Sequence, residues 1–494
     1  MTELTAATTP VSCSVVEIPA GKVADPFHST RHPLQAVRSL LSDRKPPRLT
    51  GPRGLPVVGV WPEYNRSPHE FLLQASKQYG DIFRLPLPFG DVVYVNHPEL
   101  AKRVLTDEDR FEALPSPLLG FFDRYMALFP AMRREEYHER RRSFMSALSR
   151  RSLSRSSDAI VNGLSGGVQR WDSLCGGGEY VNLTPRIAQV TLPMVLRAMI
   201  ATEFDAPTLA QMDSDLSNLL SAASLAFLPW TFRPKSGRAL LGSARRSYRL
   251  FDAVLQERLA HPTSAGEHPD MLDVILSERR PGGELLRHHE RVSELIIVMT
   301  GAYDTIVSSV SWTLAQLILN PDALERLRTE TDEVLQGRAA TFDDIGALKW
   351  TKACFDEAQR LQGGPMHPRF ATTDTELAGH SIPKDTIVGV GWYSQHMDPR
   401  WWPDPQRYDP TRFFDPQISR ARPNEVFLPF SIGVHQCPGM GMAYLQGTLL
   451  VANVVQRYDF SLPTGWRPRH DYRGATTIAG GLPVKLSRRT NNQA

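Results

Sequence analysis

The sequence predicts a mainly α fold with a small β-rich lobe, an α+β arrangement within one large domain. Three observations predict it. From about residue 98 to 365 most segments read as helices. A short strand pair flanks that run on each side. Two segments, Val292–Leu319 and Ala443–Tyr458, are apolar around most of their circumference, which places a helix at the centre of a large protein.

The elements follow in chain order. Residues 1–45 hold no apolar run near twenty residues, and no basic start followed by an apolar middle. They predict a flexible N-terminal extension without a transmembrane segment or signal peptide. Residues 46–494 then form a single domain. "GPRGLPVVGV" (Gly51 to Val60) is a Pro/Gly-rich lead-in, and "DIFRLPLP" and "DVVYVNHP" read as strands turning at Phe89-Gly90. Helices follow, among them "EYHERRRSFMSALSRRSL" and "PDALERLRTETDEVLQG". The apolar helix Val292–Leu319 ends before Asn320-Pro321. It carries Gly301 and Asp304 in its middle. Glycine there costs ~1 kcal/mol against alanine, and an acid among apolar side chains costs more unless satisfied. Both need a reason. The second strand pair is expected over Thr375–Gly391, turning at Pro383-Lys384-Asp385, with Pro-rich coil after it.

Composition limits the functions. Hydrophobic residues are 41% of the 494, enough for a large core, while charged residues are 22% and the formal net charge is +3. Such balance gives no overall attraction to polyanions, so nucleic acid is not an expected partner. The four cysteines, Cys13, Cys175, Cys354 and Cys437, are scattered and form no CxxC pair. That argues against a cysteine-rich zinc site and a secreted disulfide scaffold, and fits a reducing, cytoplasmic setting.

Cys437 stands out by its surroundings, "FLPFSIGVHQCPGMG" (Phe427 to Gly441). Pro438 suits the first position of a helix, and Gly439 lets backbone pack closely. Cys437 is then expected at a helix N-terminus, where free N–H groups favour a thiolate. Gly433 allows a tight bend before it, and Phe430 shields one side. A thiolate there is either a nucleophile or a metal ligand. A metal site built by the protein alone would want more ligands nearby. A single thiolate is enough when a macrocycle such as haem supplies the rest.

"FSIGVHQCPG" resembles the haem-binding loop of the cytochrome P-450 haem-thiolate monooxygenases, Phe-x-x-Gly-x-His/Arg-x-Cys-x-Gly, at every fixed position. The resemblance covers about residues 50 to 490 and implies that family's triangular, mostly helical fold with a long central helix over haem b. It implies Cys437 as the iron ligand. "FDEAQRL" resembles the family's Glu-x-x-Arg, and "PQRYDPTRF" its Pro-Glu-Arg-Phe segment, implying a structural network of Glu357, Arg360 and Arg407. "TGAYDTIVSS" resembles the oxygen-activating stretch, with Gly301 and Ala302 in swapped order and Asp304-Thr305 as the acid–alcohol pair. This gives the mid-helix oddities a reason: small residues let the helix pass close to a haem, and the pair relays protons. His138 and Arg142 in "YHERRRS", Arg369 and His435 match the family's propionate contacts.

By that resemblance the protein is a monooxygenase that takes electrons from outside. The basic run Arg133–Arg155 is expected to dock an acidic ferredoxin or flavodoxin, itself served by an NAD(P)H reductase. Substrate-covering segments are expected at Leu114–Met132 and Leu225–Pro234, with Phe121, Phe122, Phe227 and Ile478 as candidate lining residues. Their apolar character predicts a sizeable apolar substrate, such as a terpenoid or polyketide of specialised metabolism, oxidised with O2. Oxidative coupling or peroxygenase chemistry stays open, as does a non-catalytic haem sensor; a sensor would not need the acid–alcohol pair.

Overall fold

A computed structural model describes residues 14–15, 49–88, 90–112, 134–154, 157–225, 234–262, 269–280 and 283–490. Phe89, the segments 113–133 and 226–233, and most of the leading extension lie outside the described residues. So do Phe121, Phe122 and Phe227. Within the extension, Ser14–Val15 pairs in parallel with Thr202–Glu203.

The β lobe centres on a five-stranded sheet. Strand β1 (Ile82–Leu87) pairs antiparallel with β2 (Gly90–Val95), as the alternating apolar pattern predicts. Across the sheet the order is β1, β2, β5 (Ile387–Gly391), β4 (Met366–Ala371) and β3 (Phe111–Glu112). Ile387 sits opposite Val92 on one side, in parallel, and Phe370 on the other, antiparallel. The expected pairing within Thr375–Gly391 is therefore corrected. Thr375–Leu377 pairs instead with His380–Ile382. Ala378 and Gly379 both adopt positive φ, 50° and 78°, the backbone a tight two-residue hairpin demands. Pro383-Lys384-Asp385 only leads the chain into β5.

The helical layers are α1 (Arg134–Ala147), α2 (Ser157–Gln169), α3 (Thr184–Ile200), α4 (Ala206–Leu225), α5 (Pro234–Ala260), α6 (His288–Leu319), α7 (Pro321–Leu335), α8 (Lys349–Gln362), α9 (Thr411–Phe414) and α10 (Met440–Arg457). Helix α6 is the central one. It starts four residues before the apolar run, where Glu290 caps the backbone N–H of Arg287 at 2.7 Å. Met299, Tyr303, Val310 and Leu314 on α6 and Leu449, Leu450 and Val454 on α10 are fully buried in one core. Gly447 lets α10 approach α8, since a Cβ there would lie 2.5 Å from the Phe355 ring. Among the described residues, α6 is the one helix long and apolar enough to cross a membrane, and most of it is buried inside the protein. A smaller core joins β2, β4 and β5 to Leu428 at the start of the cysteine loop.

Candidate functional site

The cysteine loop is fixed at its entry by two histidines. Leu428 donates its N–H to His396 Nε2 at 2.9 Å, and His396 Nδ1 donates to the Arg360 carbonyl at 3.1 Å. His367 Nε2 donates to the Leu428 carbonyl at 3.0 Å, its ring stacked on Trp392. His396, which accepts at one ring nitrogen and donates at the other, must be neutral to bond this way. Burial, reinforced by neighbouring arginines, pushes His396 down to about 3 and His367 to about 4.

Beyond Leu428 the chain bends at Ser431 (φ 57°) and Gly433 (φ 74°). A Cβ at Gly433 would lie 2.5 Å from the Leu105 carbonyl oxygen, so both the φ and the close approach require glycine there. A 3-10 turn over Gly433–His435 then delivers Cys437, whose N–H bonds the Phe430 carbonyl at 2.8 Å. Phe430 stands 5.2 Å from the Tyr444 ring.

Helix α10 begins at Met440 with Gly439 as its N-cap, so Pro438 precedes the helix rather than opening it. Cys437 is exposed. Burial of its surroundings raises the thiol pKa, against the pull of the Gly439 and Met440 N–H groups and Arg141. The helix terminus alone therefore does not ionise it, whereas coordination to a metal removes a thiol proton outright.

A cationic cluster lies beside the loop. Tyr137 on α1 donates to the Val434 carbonyl at 3.1 Å and packs its ring on His435. His435 is pushed down to about 4 by burial, Arg369, Arg141 and His138. Arg369 is buried and pushed down to about 10. One guanidinium nitrogen of Arg369 (Nη2) and one of Arg141 (Nη1) are buried with no hydrogen-bond partner. Like charges held together with unpartnered N–H groups call for an anion. The two carboxylates of a haem meet that need. His138 is engaged by Glu108 at 2.7 Å. Arg142 is exposed, and its Nε reaches the His138 carbonyl at 3.5 Å. Arg141, one residue earlier, is the arginine that α1 turns toward the cluster.

On α6, Gly301 and Thr305 are one turn apart and exposed, although the helix runs through the core. A Cβ added at Gly301 would meet nothing within 4 Å. Ala302 is half-buried. Thr305 Oγ1 donates to the Gly301 carbonyl at 2.9 Å, and Ser309 Oγ to the Thr305 carbonyl at 2.8 Å. The hydroxyl of Thr305 is thus left as an acceptor on the open face. Asp304 does not pair with Thr305. It turns toward α4, hydrogen-bonded to Ser217 and beside Asp213, and is pushed up to about 6 by burial first and Asp213 second.

The network behind the loop is real but differs in one member. Arg360 is fully buried and bidentate with Glu357, at 2.8 and 2.7 Å. Arg407 is corrected: its side chain is exposed, and only its carbonyl meets Arg360, at 3.2 Å. The second arginine on Glu357 is Arg412, Nε to Oε1 at 3.4 Å. The signal was present: "PTRF" holds proline, arginine and phenylalanine in the family segment's order, whereas "PQRY" lacks the phenylalanine. Ile478, expected to line the substrate cavity, is buried in the main core. Sequence reasoning also missed His367, His396 and Arg141. Their roles depend on partners far along the chain, which no local motif records.

Among the described residues no cluster of three His, Cys, Asp or Glu side chains is placed to hold a metal ion. An exposed loop cysteine beside unpartnered buried guanidinium nitrogens, together with a bare glycine on the central helix, fits a haem-thiolate protein. The comparisons agree. The family model described as Cytochrome P450 matches residues 49–482. The chain belongs to the cytochrome P450 family, whose members bind haem b through a cysteine thiolate and act as monooxygenases. Cytochrome P450 132 of Mycobacterium tuberculosis is 36% identical over 233 residues, 45% of this chain and 49% of that protein. The match thus spans about half the length of that relative. Cyclooctat-9-en-7-ol 5-monooxygenase of Streptomyces melanosporofaciens is 24% identical over 83% of this chain and 88% of its own. Geranylhydroquinone 3″-hydroxylase of Arnebia euchroma is 26% identical over 85% and 88%.

Proposed function

We propose that this chain is a haem-thiolate monooxygenase that inserts one oxygen atom from O2 into a sizeable apolar, terpenoid-like substrate of specialised metabolism. It acts in the cytoplasm with electrons from a ferredoxin or flavodoxin and its NAD(P)H reductase. The observation that carries this reading is Cys437 on its bent loop beside the unpartnered N–H groups of Arg141 and Arg369. Bound haem b would supply the redox-active iron where O2 is activated, with thiolate donation favouring O–O cleavage. The chain's own residues do the rest. Cys437 would hold the iron, and Arg141, Arg369 and His435 the propionates; Phe430, whose carbonyl accepts the Cys437 N–H, would shield one side of the sulfur, and Gly439 leaves the other bare. Gly301 keeps the face of α6 open, and Thr305 accepts a hydrogen bond there. Asp304 moves the protons that monooxygenation consumes.

The relatives that support the substrate class are those named for oxidising cyclooctat-9-en-7-ol and geranylhydroquinone. The electron donor docks on the basic run around α1, a reading supported by Tyr137, which ties that helix to the loop at Val434. Among the described residues of that run, Arg142 on α1 and Arg151 on the short helix Arg150–Ser154 are exposed cations.

Purified protein, reduced and treated with carbon monoxide, is expected to show the red-shifted Soret band of thiolate ligation, and Cys437→Ala to lose it. A variant that keeps the band would assign the iron to another residue. Titration with cyclic and linear terpenoids should move the ferric spectrum from low to high spin. A response to charged solutes alone would overturn the substrate class.

A further inference from the structure

At the end of α3, Ala201 turns into the left-handed region (φ 49°). Thr202–Glu203 then runs extended before α4 begins at Ala206. Side chains hold this link in place. Thr202 Oγ1 and Arg258 Nη2 both donate to the Ile200 carbonyl, at 2.9 and 3.0 Å. Arg197 Nε donates to Glu203 Oε1 at 2.8 Å. Asp205 accepts from the Thr208 N–H at 2.9 Å and so starts α4. An extended pair fixed in this way presents an edge whose N–H and C=O groups need partners. Among the described residues, the strand that meets this edge is Ser14–Val15 of the leading extension. It runs in parallel, with Ser14 opposite Thr202 and Val15 opposite Glu203.

The edge borders a cavity. Thr202, Glu203 and Phe204 line a space of about 640 Å³ between α2, α3 and α4. Leu196 and Leu209 join Phe204 in an apolar wall. Pro193, within α3, has no N–H for the Gln189 carbonyl, so one main-chain acceptor on the wall lacks its helical donor. Of the charged groups there, Arg197 is paired with Glu203, and Asp213 accepts from Tyr303. Arg170 is exposed, and no carboxylate among the described residues pairs with it.

We propose that this edge and cavity form a docking site for the chain's own leading segment, which adds a strand at Thr202–Glu203 and seats Val16-Glu17-Ile18-Pro19 against the cavity. Those four residues lie outside the described residues. The described pairs set their register: continued in parallel, the ladder brings Val16 beside Phe204 and Ile18 beside Ala206, both on the cavity wall. At ~3.3 Å per residue, Val16 to Ile18 lengthens the strand by about 10 Å. Val16 and Ile18 share one strand face and suit an apolar wall, while Glu17 takes the other face. Glu17 is the one charged residue from Pro10 to Ala20, and its sign is opposite to that of Arg170. Pro19 ends the ladder, since it has no N–H to give. Main-chain bonds supply the affinity of such a strand, and its alternate side chains supply the selectivity.

The test follows amide hydrogen exchange in the full-length, haem-loaded chain. Val15→Pro with Val16→Pro removes whichever amide the ladder uses. The Thr202–Phe204 amides should then exchange faster than in wild type, by about tenfold or more. Gly166→Leu should expose them as well. A Cβ at Gly166 meets nothing within 4 Å, so the added side chain takes up cavity space without disturbing α2. Arg170→Glu should loosen the segment to a smaller extent, and Glu17→Arg in the same chain should restore it. A peptide of residues 10–20, added to the proline variant, should bring back the protection and saturate. Unchanged haem content in each variant separates loss of the docked strand from loss of the fold. Thr202–Phe204 amides that exchange alike in wild type, the proline variant and Gly166→Leu would overturn the proposal. Protection in the proline variant that rises with protein concentration would overturn it too, by assigning the edge to a second copy. So would protection that a terpenoid restores and the peptide does not, which would assign the cavity to a small molecule.

Discussion

Arg412, five residues beyond Arg407, is the arginine that joins Arg360 at Glu357, with its Nε 3.4 Å from Glu357 Oε1. Its Nη2 also donates to the Asp404 carbonyl at 2.9 Å. Arg360 in turn donates to the carbonyls of His396 and Pro405 at 2.8 Å. These bonds bind α8 to the coil before the cysteine loop. Arg360→Ala leaves Glu357 buried and charged, and should cost about 3–5 kcal/mol. Arg412→Ala should cost about 1–3 kcal/mol. Arg407→Ala removes an exposed side chain and should stay within about 0.5 kcal/mol. Urea denaturation of the three variants checks the order. A loss for Arg407→Ala equal to that for Arg412→Ala would contradict it.

The neutral histidines at Leu428 make the loop acid-sensitive. His396 and His367 titrate at about 3 and about 4 in the folded protein, against about 6.5 when unfolded. The unfolded chain therefore binds protons first as pH falls. Their stabilisation is complete above pH ~6.5 and declines below it, by up to ~1.4 kcal/mol per pH unit for each histidine, until the folded pKa is reached. Thermal unfolding between pH 7.5 and 4.5 should show this slope in wild type. His396→Gln should be less stable at pH 7.5 and have a shallower slope. Parallel slopes in the two proteins would show that His396 is not neutral in the fold.

Arg140 was expected on a docking surface, yet it is 2% exposed and pairs with the fully buried Glu294 of α6 at 2.7 Å. Glu278 stands 3.8 Å away. Reversing its charge would bury three like charges, and should yield unfolded or haem-poor protein. Arg140→Ala should cost about 3–5 kcal/mol. By contrast, Arg142→Glu with Arg151→Glu leaves the core intact. It should slow reduction by ferredoxin at low salt and converge with wild type at high salt, because screening removes long-range steering. Stopped-flow reduction across salt concentrations separates the cases. Salt-independent, wild-type rates in the double variant would place docking elsewhere.

What could be read in the sequence was local. The cysteine loop, the Glu357–Arg360 turn and the two apolar helices each carry their evidence within about twenty residues, as spacing or periodicity. What could not be read depends on rotation about a helix axis or on distant pairing. The run from Arg140 to Arg142 is three identical letters, but one faces the core, one the cationic cluster and one solvent. Which is which follows from a rotation of about 100° per residue, fixed only by what α1 packs against. The strand Ile387–Gly391 looked like half of a hairpin with the preceding residues because its actual neighbours, Met366–Phe370 and Val92–Val95, lie further back in the chain.

Thr305 tests the chemistry most directly. Its hydroxyl proton is committed to the Gly301 carbonyl at 2.9 Å, so its oxygen can only accept on the open face. The proposed function has it orient a water, or another donor, where protons are delivered. Thr305→Val keeps nearly the same volume and removes the acceptor. Because the bond to Gly301 lies within the helix and on an exposed face, its loss should change stability by no more than about 1 kcal/mol. Haem content, substrate-induced spectral shifts and reductant consumption should therefore remain close to wild type. Productive proton delivery should fall on the order of 10²–10⁴-fold, as it does when a positioned proton-transfer partner is lost. Electrons would then leave as peroxide rather than in product. Thr305→Ser restores the acceptor and should restore most of the coupling, a rescue that a purely steric role for the methyl group would not give. The measurement is product formed per reductant oxidised, with peroxide assayed in parallel. Wild-type coupling in Thr305→Val would make the hydroxyl a structural feature of α6 and would favour peroxygenase or coupling chemistry for this chain.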